Sequence, residues 1–248
     1  MLEITLLKVN HFGERQARKL LPYIMDCDAF SQEAFGLTED SATENEKNWR
    51  DLIESEISRS RVVSTFCPGE DKHPRVLEYL MKVSDYLFRQ KRPQFYTERW
   101  RNSGELMKMR RLAEEGSFVE DRGLTKISQG DYEEGISLFY EGVKKIMASS
   151  RMRDKNIAGN LGTAEGILRA NYPRFADKNK IKLTLELGSF HRPEKYTSLP
   201  IKVVYLHDSG SYNDMLKLQE ASTRLIRRGI SLSRLTPLLR KRLEQKHI

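Results

Sequence analysis

The sequence has little cysteine and no long apolar run, and both absences exclude whole classes of protein. Its 248 residues include two cysteines, Cys27 and Cys67, which cannot form a disulfide framework and lack the paired spacing of a metal-binding motif. No stretch approaches the roughly 20 apolar residues that a membrane-spanning helix needs. The N-terminus has neither the basic start nor the small-residue cleavage site of a signal peptide. We therefore expect a cytoplasmic protein with reduced thiols.

Two motifs of common enzyme classes are also missing. The sequence contains no phosphate-binding loop of the P-loop type and no GxSxG nucleophile elbow. The segment GNLGTAEG, residues 159–166, is rich in glycine, but it lies inside a helical pattern rather than after a strand. We therefore do not interpret it as a nucleotide-binding motif.

The positive charge is concentrated at the C-terminus. The formal net charge is +8, and residues 223–248 contain eight basic residues and one acidic residue, so this tail carries +7. Its leucines and arginines form an amphipathic pattern, compatible with a nucleic acid, an anionic surface or an acidic partner. The alternative, which we favour, is a terminal helix that packs its leucines on the body of the protein, because the tail has no aromatic stacking residues.

Strand and helix patterns alternate along the first 100 residues, as is typical of an α/β domain with a mostly parallel sheet. Asp40 or Ser41 is expected to cap the second helix, which runs to about Ser58, and Pro22 is expected to kink or shorten the first. An amphipathic helix is predicted at RVLEYLMKVSDYLFRQ. Four strands are predicted here: EITLLKV (residues 3–9), DAFSQEAFG (28–36), RVVSTF (61–66) and RPQFYTERW (92–100).

The pattern from about residue 101 to residue 172 is helical throughout. Its two best helices are YEEGISLFYEGVKKIMASS and RDKNIAGNLGTAEGILRANY, the second opened by Asp154 as a cap. Two further strands, KIKLTLELGSF and IKVVYLH, and a late helix follow. We predict one α/β domain over residues 1–222, with a mostly parallel central sheet, helices on both faces and an α-helical insert at about 101–150. The basic helical tail then occupies residues 223–248.

Several polar residues lie where predicted strands end. Ligands of open α/β sheets bind beyond the carboxyl ends of the strands, so side chains at these positions converge if the strands are parallel neighbours. Each residue also has a simpler interpretation as a helix cap or a solvated loop residue. The residues concerned are His11, Glu33, Glu98, His191 and His207.

The motifs in this chain resemble those of the erythromycin esterase-like, ChaN-like and TraB/TIKI superfamily. Members begin with a strand ending in a histidine motif, a helix, and a strand ending in glutamate; here NHFGERQARKLL and AFSQEAFG follow that order. Their second half has an Arg-Asp or Arg-Asn pair opening a helix, then a strand ending in Gly-x-x-His. The segments SRMRDKNIAGNLGTAEGIL and KLTLELGSFH match it in order and spacing. The resemblance extends over most of residues 4–207.

The resemblance implies a site built from His11, Glu33, Arg153, Asp154 and His191. A divalent metal (Mn, Zn, Fe or Co) would be bound by the two histidines with Glu33 and Asp154, and it would activate water. Without a metal, a histidine beside a carboxylate would act as general base, and Arg153 would stabilise negative charge. Asp154 also has the alternative role of a helix cap.

The sequence departs from the family motif before the first histidine. Asn10 stands there, and the nearest acidic residue, Glu14, follows His11 instead of preceding it. Glu98 and His207 are additional candidates for the site.

The first expectation is a hydrolase of ester or peptide bonds that acts on a small-molecule or peptide substrate. The first alternative is a haem- or small-ligand-binding protein of the ChaN-like type, in which a histidine, or a tyrosine such as Tyr96 or Tyr196, would be the axial ligand. The second alternative is binding of nucleic acid or another anionic partner through the tail.

Overall fold

A computed structural model describes residues 1–9, 13–33, 36–54, 74–188 and 191–206 of the chain. Over these residues the protein is α/β, with a mostly parallel central sheet flanked by helices, so the predicted fold class is confirmed. The described residues divide into two compact units. The first consists of residues 1–103 and 154–206, and the second of Gly104–Arg153. The predicted third strand, the late helix and the basic tail lie outside the described residues.

The elements are numbered here in chain order. The helices are α1 (Gly13–Asp26), α2 (Glu39–Glu54), α3 (Pro74–Arg89), α4 (Ser103–Ser128) and α5 (Tyr132–Asn171). The strands are β1 (Leu2–Val9), β2 (Ala29–Ser31), β3 (Leu37–Thr38), β4 (Arg99–Trp100), β5 (Ile181–Gly188) and β6 (Ile201–Tyr205). Two short 3-10 turns lie at Pro173–Phe175 and Pro193–Lys195.

The main sheet of the first unit has the strand order β2-β5-β1-β6, and all its pairs are parallel. β1 and β5 are adjacent over their whole length, with Leu2 opposite Ile181 and Val9 opposite Gly188. Both strands are buried on both faces, which explains why each appears in the sequence as a nearly continuous apolar run. The carboxyl ends of the strands therefore meet at one edge of the sheet.

The predicted fourth strand is mostly wrong. Of RPQFYTERW, only Arg99–Trp100 forms a strand, and it pairs with β3 in a separate two-stranded sheet. The earlier part contacts β2 through one isolated bridge, between Phe30 and Gln94. The side-chain amide of Asn160 donates to the backbone oxygens of Thr97 and Arg99, at 2.9 Å each. A side chain thus occupies acceptors that a longer strand would offer to its neighbour.

Two predictions about helix ends are wrong, and a third is wrong in part. Helix α1 contains Pro22 and continues to Asp26, so the proline does not shorten it at that point, and the alternative that it kinks the helix stays a prediction. The second helix starts at Glu39, and its cap is Thr38, whose Oγ1 accepts from the Ser41 amide at 3.2 Å. Asp154 lies inside the single 40-residue helix α5 and therefore caps no helix.

The core of the first unit is formed by the strands of the main sheet, α1, α2, α3 and the second half of α5. Cys27 belongs to this core, and burial raises the pKa of its thiol to about 12, so the side chain is an inert packing residue. Among the helices that the structure describes, none is long and apolar enough to cross a membrane.

In the second unit, α4 and the part of α5 up to Arg153 form a helical pair that packs closely through glycines. A Cβ atom on Gly123 would lie 2.5 Å from the Phe139 amide nitrogen, and one on Gly142 would lie 2.5 Å from the Glu120 amide nitrogen. The two helix backbones are therefore as close as the absence of a side chain permits. A small apolar cluster lies beside this contact: Ile127, Ile136, Phe139, Val143 and Met147.

Candidate functional site

Three residues of the predicted site come together in the first unit. Glu33 lies two residues after β2, and His191 lies three residues after β5, the strand beside β2. Asp154 comes from the interior of α5. The parallel order of β2 and β5 brings the ends of these strands to the same edge, as expected for residues beyond the carboxyl ends of a sheet.

The imidazole of His191 is held between two carboxylates. Its Nδ1 is 2.7 Å from Oδ1 of Asp154, and its Nε2 is 3.3 Å from Oε1 of Glu33. The second oxygen of each carboxylate accepts from the backbone: Oδ2 of Asp154 from the Arg192 amide at 2.9 Å, and Oε2 of Glu33 from the Gly188 amide at 2.5 Å. Both carboxylates therefore have fixed orientations relative to the ring.

This geometry constrains where the protons lie. A neutral imidazole has one N–H donor, but both ring nitrogens of His191 face carboxylate oxygens. The contacts are all favourable when the ring is a doubly protonated imidazolium, when Glu33 is protonated, or when a cation lies between Nε2 and Glu33. The His191–Glu33 pair is therefore suited to exchange a proton.

Glu33 is the most exposed of the three side chains. The side chains of His191 and Asp154 are 5% and 4% exposed, whereas that of Glu33 is 17% exposed. A water or substrate therefore reaches the carboxylate of Glu33 more easily than the Asp154 side of the ring.

The predicted metal site is not complete in the part of the chain that the structure describes. No group of three or more His, Cys, Asp or Glu side chains there is arranged to hold a metal ion. Both oxygens of Asp154 are used by His191 and Arg192, as in a carboxylate that orients a histidine rather than one that binds metal directly. Among the described residues, Glu33 and Nε2 of His191 are the two donors left, and the further predicted ligand His11 lies outside them, so we derive no chemistry through a metal.

The other residues predicted for the site are not among the three that come together. Glu98 is buried, and its Oε1 accepts from the Gly36 amide at 3.2 Å and from the Trp100 indole at 3.5 Å, so it holds local structure. Arg153 is buried and belongs to the second unit. His11 and His207 lie outside the described residues, and their roles stay predictions.

Two charged residues in the sheet were not predicted. Lys8 on β1 and Glu186 on β5 are fully buried. The ammonium group of Lys8 donates to the backbone oxygen of His191 and lies 3.2 Å from Oε2 of Glu194. Burial lowers the pKa of Lys8, and Glu194 opposes that shift. A lysine within the apolar run EITLLKV, and a glutamate within KLTLELG, were the signals in the sequence.

Glu186 has an aromatic neighbour on α3. Tyr79 is completely buried, and burial first, then the nearby Glu186 carboxylate, raise the pKa of its hydroxyl well above the usual range. Glu33 acts on Tyr79 in the same direction. The hydroxyl of Tyr79 is therefore neutral, and the carboxylates that act on it are those of Glu186 and Glu33.

Comparison with known proteins finds no related protein. No protein-family model matches the sequence, and neither a curated protein nor a solved structure matches it. The resemblance to the erythromycin esterase-like, ChaN-like and TraB/TIKI superfamily therefore stays a prediction, based on the quoted motifs.

Proposed function

We propose that the protein is a hydrolase of ester or peptide bonds in which Glu33 and His191 transfer the protons. The arrangement of His191 between the carboxylates of Asp154 and Glu33 is the observation that carries this proposal. Asp154 orients the ring through Nδ1, which leaves Nε2 directed toward the more exposed Glu33. This division of roles is common in general acid–base catalysis, where one carboxylate fixes the histidine and the other groups exchange protons with the substrate.

The proton transfers balance within this group. A water molecule at Glu33 gives one proton to the Glu33 carboxylate as its oxygen attacks the carbonyl carbon of the substrate. The imidazolium of His191 gives its Nε2 proton to the leaving oxygen or nitrogen as the ester or amide bond breaks. The proton on Glu33 then returns to Nε2, 3.3 Å away, and the initial state is restored.

The haem-binding alternative has less support. An axial ligand needs a ring nitrogen or phenol that is directed toward the iron. Both nitrogens of His191 face carboxylates, and the hydroxyl of Tyr96 bonds the side chain of Gln94 at 2.8 Å. The metal-dependent form of the hydrolase and the tail-mediated binding of nucleic acid or an acidic partner stay predictions.

The test is hydrolysis by wild-type protein and two conservative variants, His191→Gln and Glu33→Gln. The substrates are a series of p-nitrophenyl esters and a mixture of unstructured peptides analysed by mass spectrometry. We expect each variant to lower kcat/KM by about 10²–10⁴-fold, the usual contribution of a general acid or base. The matched control is Glu3→Gln, because Glu3 is an exposed carboxylate at the opposite end of β1, paired with Lys180.

Each outcome distinguishes between versions of the proposal. Hydrolysis that both variants retain would contradict the roles of Glu33 and His191. Mass spectrometry of protein purified without chelator or immobilised nickel tests the metal, and a stoichiometric ion lost in Glu33→Gln would favour the metal-dependent form. Absence of hydrolysis from wild-type protein, with and without added Mn²⁺, Zn²⁺, Fe²⁺ and Co²⁺, would contradict a hydrolase of these substrates.

A further inference from the structure

Lys8 occupies an unusual position for a lysine. It lies near the carboxyl end of β1, an interior strand of the sheet, opposite Leu187 of β5 and Tyr205 of β6. Its side chain is completely buried. A buried ammonium group is costly unless it is paired and hydrogen-bonded, so its partners indicate why this position tolerates a lysine.

Those partners lie on the segment that carries His191. Nζ of Lys8 donates to the His191 carbonyl and lies 3.2 Å from Oε2 of Glu194, three residues further along. The amide of His191 donates to the Gly188 carbonyl at 3.1 Å, and the amide of Arg192 donates to Asp154. The backbone of His191 is thus fixed on both sides, and Lys8 provides the contact to its carbonyl oxygen.

We propose that Lys8 is a positioning residue, which holds the His191 backbone from β1 and so keeps the imidazole in line with Asp154 and Glu33. The residue touches no reacting atom and acts through the peptide group of His191. Glu194 serves as the counter-ion that lets an ammonium group remain buried there. This inference rests on the proposed function for its catalytic consequence, but its structural claim can be tested without any substrate.

Four variants separate positioning from mere stability. Lys8→Met keeps the length of the side chain but removes the donor and the charge. Lys8→Met with Glu194→Gln also removes the counter-ion, so neither charge of the Lys8–Glu194 pair remains, and the other partner of Glu194, Arg192, is partly exposed to solvent. Glu194→Gln alone keeps the donor to His191, and Lys182→Met is a control on an exposed lysine that pairs with Asp26 at the other end of β5.

The first measurement is the pair of ¹⁵N chemical shifts of the His191 ring at fixed pH, which reports the protonation and hydrogen bonding of Nδ1 and Nε2. We expect displaced or broadened signals in both Lys8→Met variants and nearly wild-type signals in Lys182→Met. Glu194→Gln keeps the donor but removes its counter-ion, so we expect a smaller displacement there than in the Lys8→Met variants. If Lys8→Met does not fold, the double variant compared with Glu194→Gln carries the test. Wild-type ring signals in the folded Lys8→Met variant, or in the double variant, would overturn the proposal.

The second measurement is steady-state hydrolysis together with thermal unfolding. We expect kcat to fall by about 10–100-fold in Lys8→Met with little change in KM, as for other residues that orient a catalytic histidine. A loss of activity that only follows the loss of folded protein would overturn the proposal. If wild-type protein hydrolyses none of the substrates, the proposed function fails, and the ring signals alone decide the role of Lys8.

Discussion

Nδ1 of His191 lies 2.7 Å from Oδ1 of Asp154, although 37 residues separate them in the sequence. A helix interior supplies the carboxylate, and the segment after a sheet strand supplies the histidine. The same carboxylate accepts from the amide of Arg192 with its second oxygen. Asp154 therefore fixes both the ring and the backbone of the histidine segment.

Replacing Asp154 by asparagine should impair the proposed reaction more than it impairs folding. The amide can still bond the ring, but it no longer stabilises a proton on Nδ1, so we expect kcat/KM to fall by about 10²–10⁴-fold. The measurement is ester and peptide hydrolysis by Asp154→Asn, with thermal unfolding of the same protein. Asp26→Asn, on an exposed residue at the end of α1, is the matched control. Equal activity of the two variants would contradict an orienting role for Asp154.

Two glycine substitutions should have opposite effects on stability. A Cβ atom on Gly123 would meet the Phe139 amide nitrogen at 2.5 Å and the Gly135 oxygen at 2.8 Å, whereas one on Gly162 has no atom within 4 Å. We expect Gly123→Ala to lower the free energy of unfolding by about 1–3 kcal/mol, because backbone must move. Gly162→Ala should raise it by about 0.5–1 kcal/mol, because alanine is the better helix former. Urea unfolding followed by circular dichroism measures both, and a stabilised Gly123→Ala variant would contradict the close packing of α4 and α5.

The stability of the second unit should decrease between about pH 4.5 and pH 7. Burial, and then the nearby Asp121, raise the pKa of Glu120 from 4.5 to about 7. Because the folded state holds this proton more tightly than the unfolded state, the stabilisation is complete below pH 4.5 and is lost as the pH rises through 7. We expect a loss on the order of 1–3 kcal/mol from this residue.

The test of Glu120 is the difference between wild-type protein and Glu120→Gln in urea unfolding at several pH values. The glutamine variant should be more stable than wild type at pH 8 and similar to it at pH 4.5. A difference that is independent of pH would show that Glu120 titrates normally. Glu133→Gln is a suitable control, because this exposed residue lies on the partner helix α5.

Glu46 and Arg99 form a buried ion pair, so removing one of them should strongly destabilise the protein through the charge that is left. Oε1 of Glu46 bonds Nη2 of Arg99 and accepts from the Tyr96 amide at 2.8 Å, and both charged side chains are less than 5% exposed. Burial raises the pKa of Glu46, and Arg99 opposes that shift. Arg99→Met should therefore lower the free energy of unfolding by about 3–5 kcal/mol at pH 8, because it leaves a buried carboxylate without a counter-ion.

A double variant tests that explanation. Arg99→Met with Glu46→Gln removes both charges of this pair, and the glutamine oxygen can still accept from the Tyr96 amide, so we expect the double variant to recover much of the lost stability. The deficit of Arg99→Met alone should become smaller at pH 5, since a raised pKa of Glu46 makes protonation in the folded state easier as the pH falls. Urea unfolding of the single and double variants at both pH values provides the comparison. Additive effects of the two substitutions would contradict a coupled ion pair.

The strands of the main sheet show where local sequence is sufficient. β1, β5 and β6 were predicted from short apolar runs, and helix α3 from its amphipathic pattern. Burial of a strand on both faces leaves a continuous apolar run, and burial of one helix face leaves a period of 3.6 residues, so each signal can be recognised in the sequence. RPQFYTERW gave a similar signal, yet only Arg99–Trp100 is a strand. Whether a β-prone segment becomes a strand depends on which groups bond its backbone, and here a side-chain amide from α5 bonds two of its carbonyls.

Patterns in the sequence were sufficient to predict the α/β class, the parallel strands, and the candidacy of Glu33, Asp154 and His191. They did not determine the order β2-β5-β1-β6, because that order depends on contacts between segments more than 170 residues apart, such as Leu2 with Ile181. Tertiary structure alone showed that Asp154 orients His191 rather than capping a helix. It alone also showed Lys8 at the His191 carbonyl. A polar residue in an apolar strand indicates that a buried partner exists, but its identity depends on which distant segment folds against that strand.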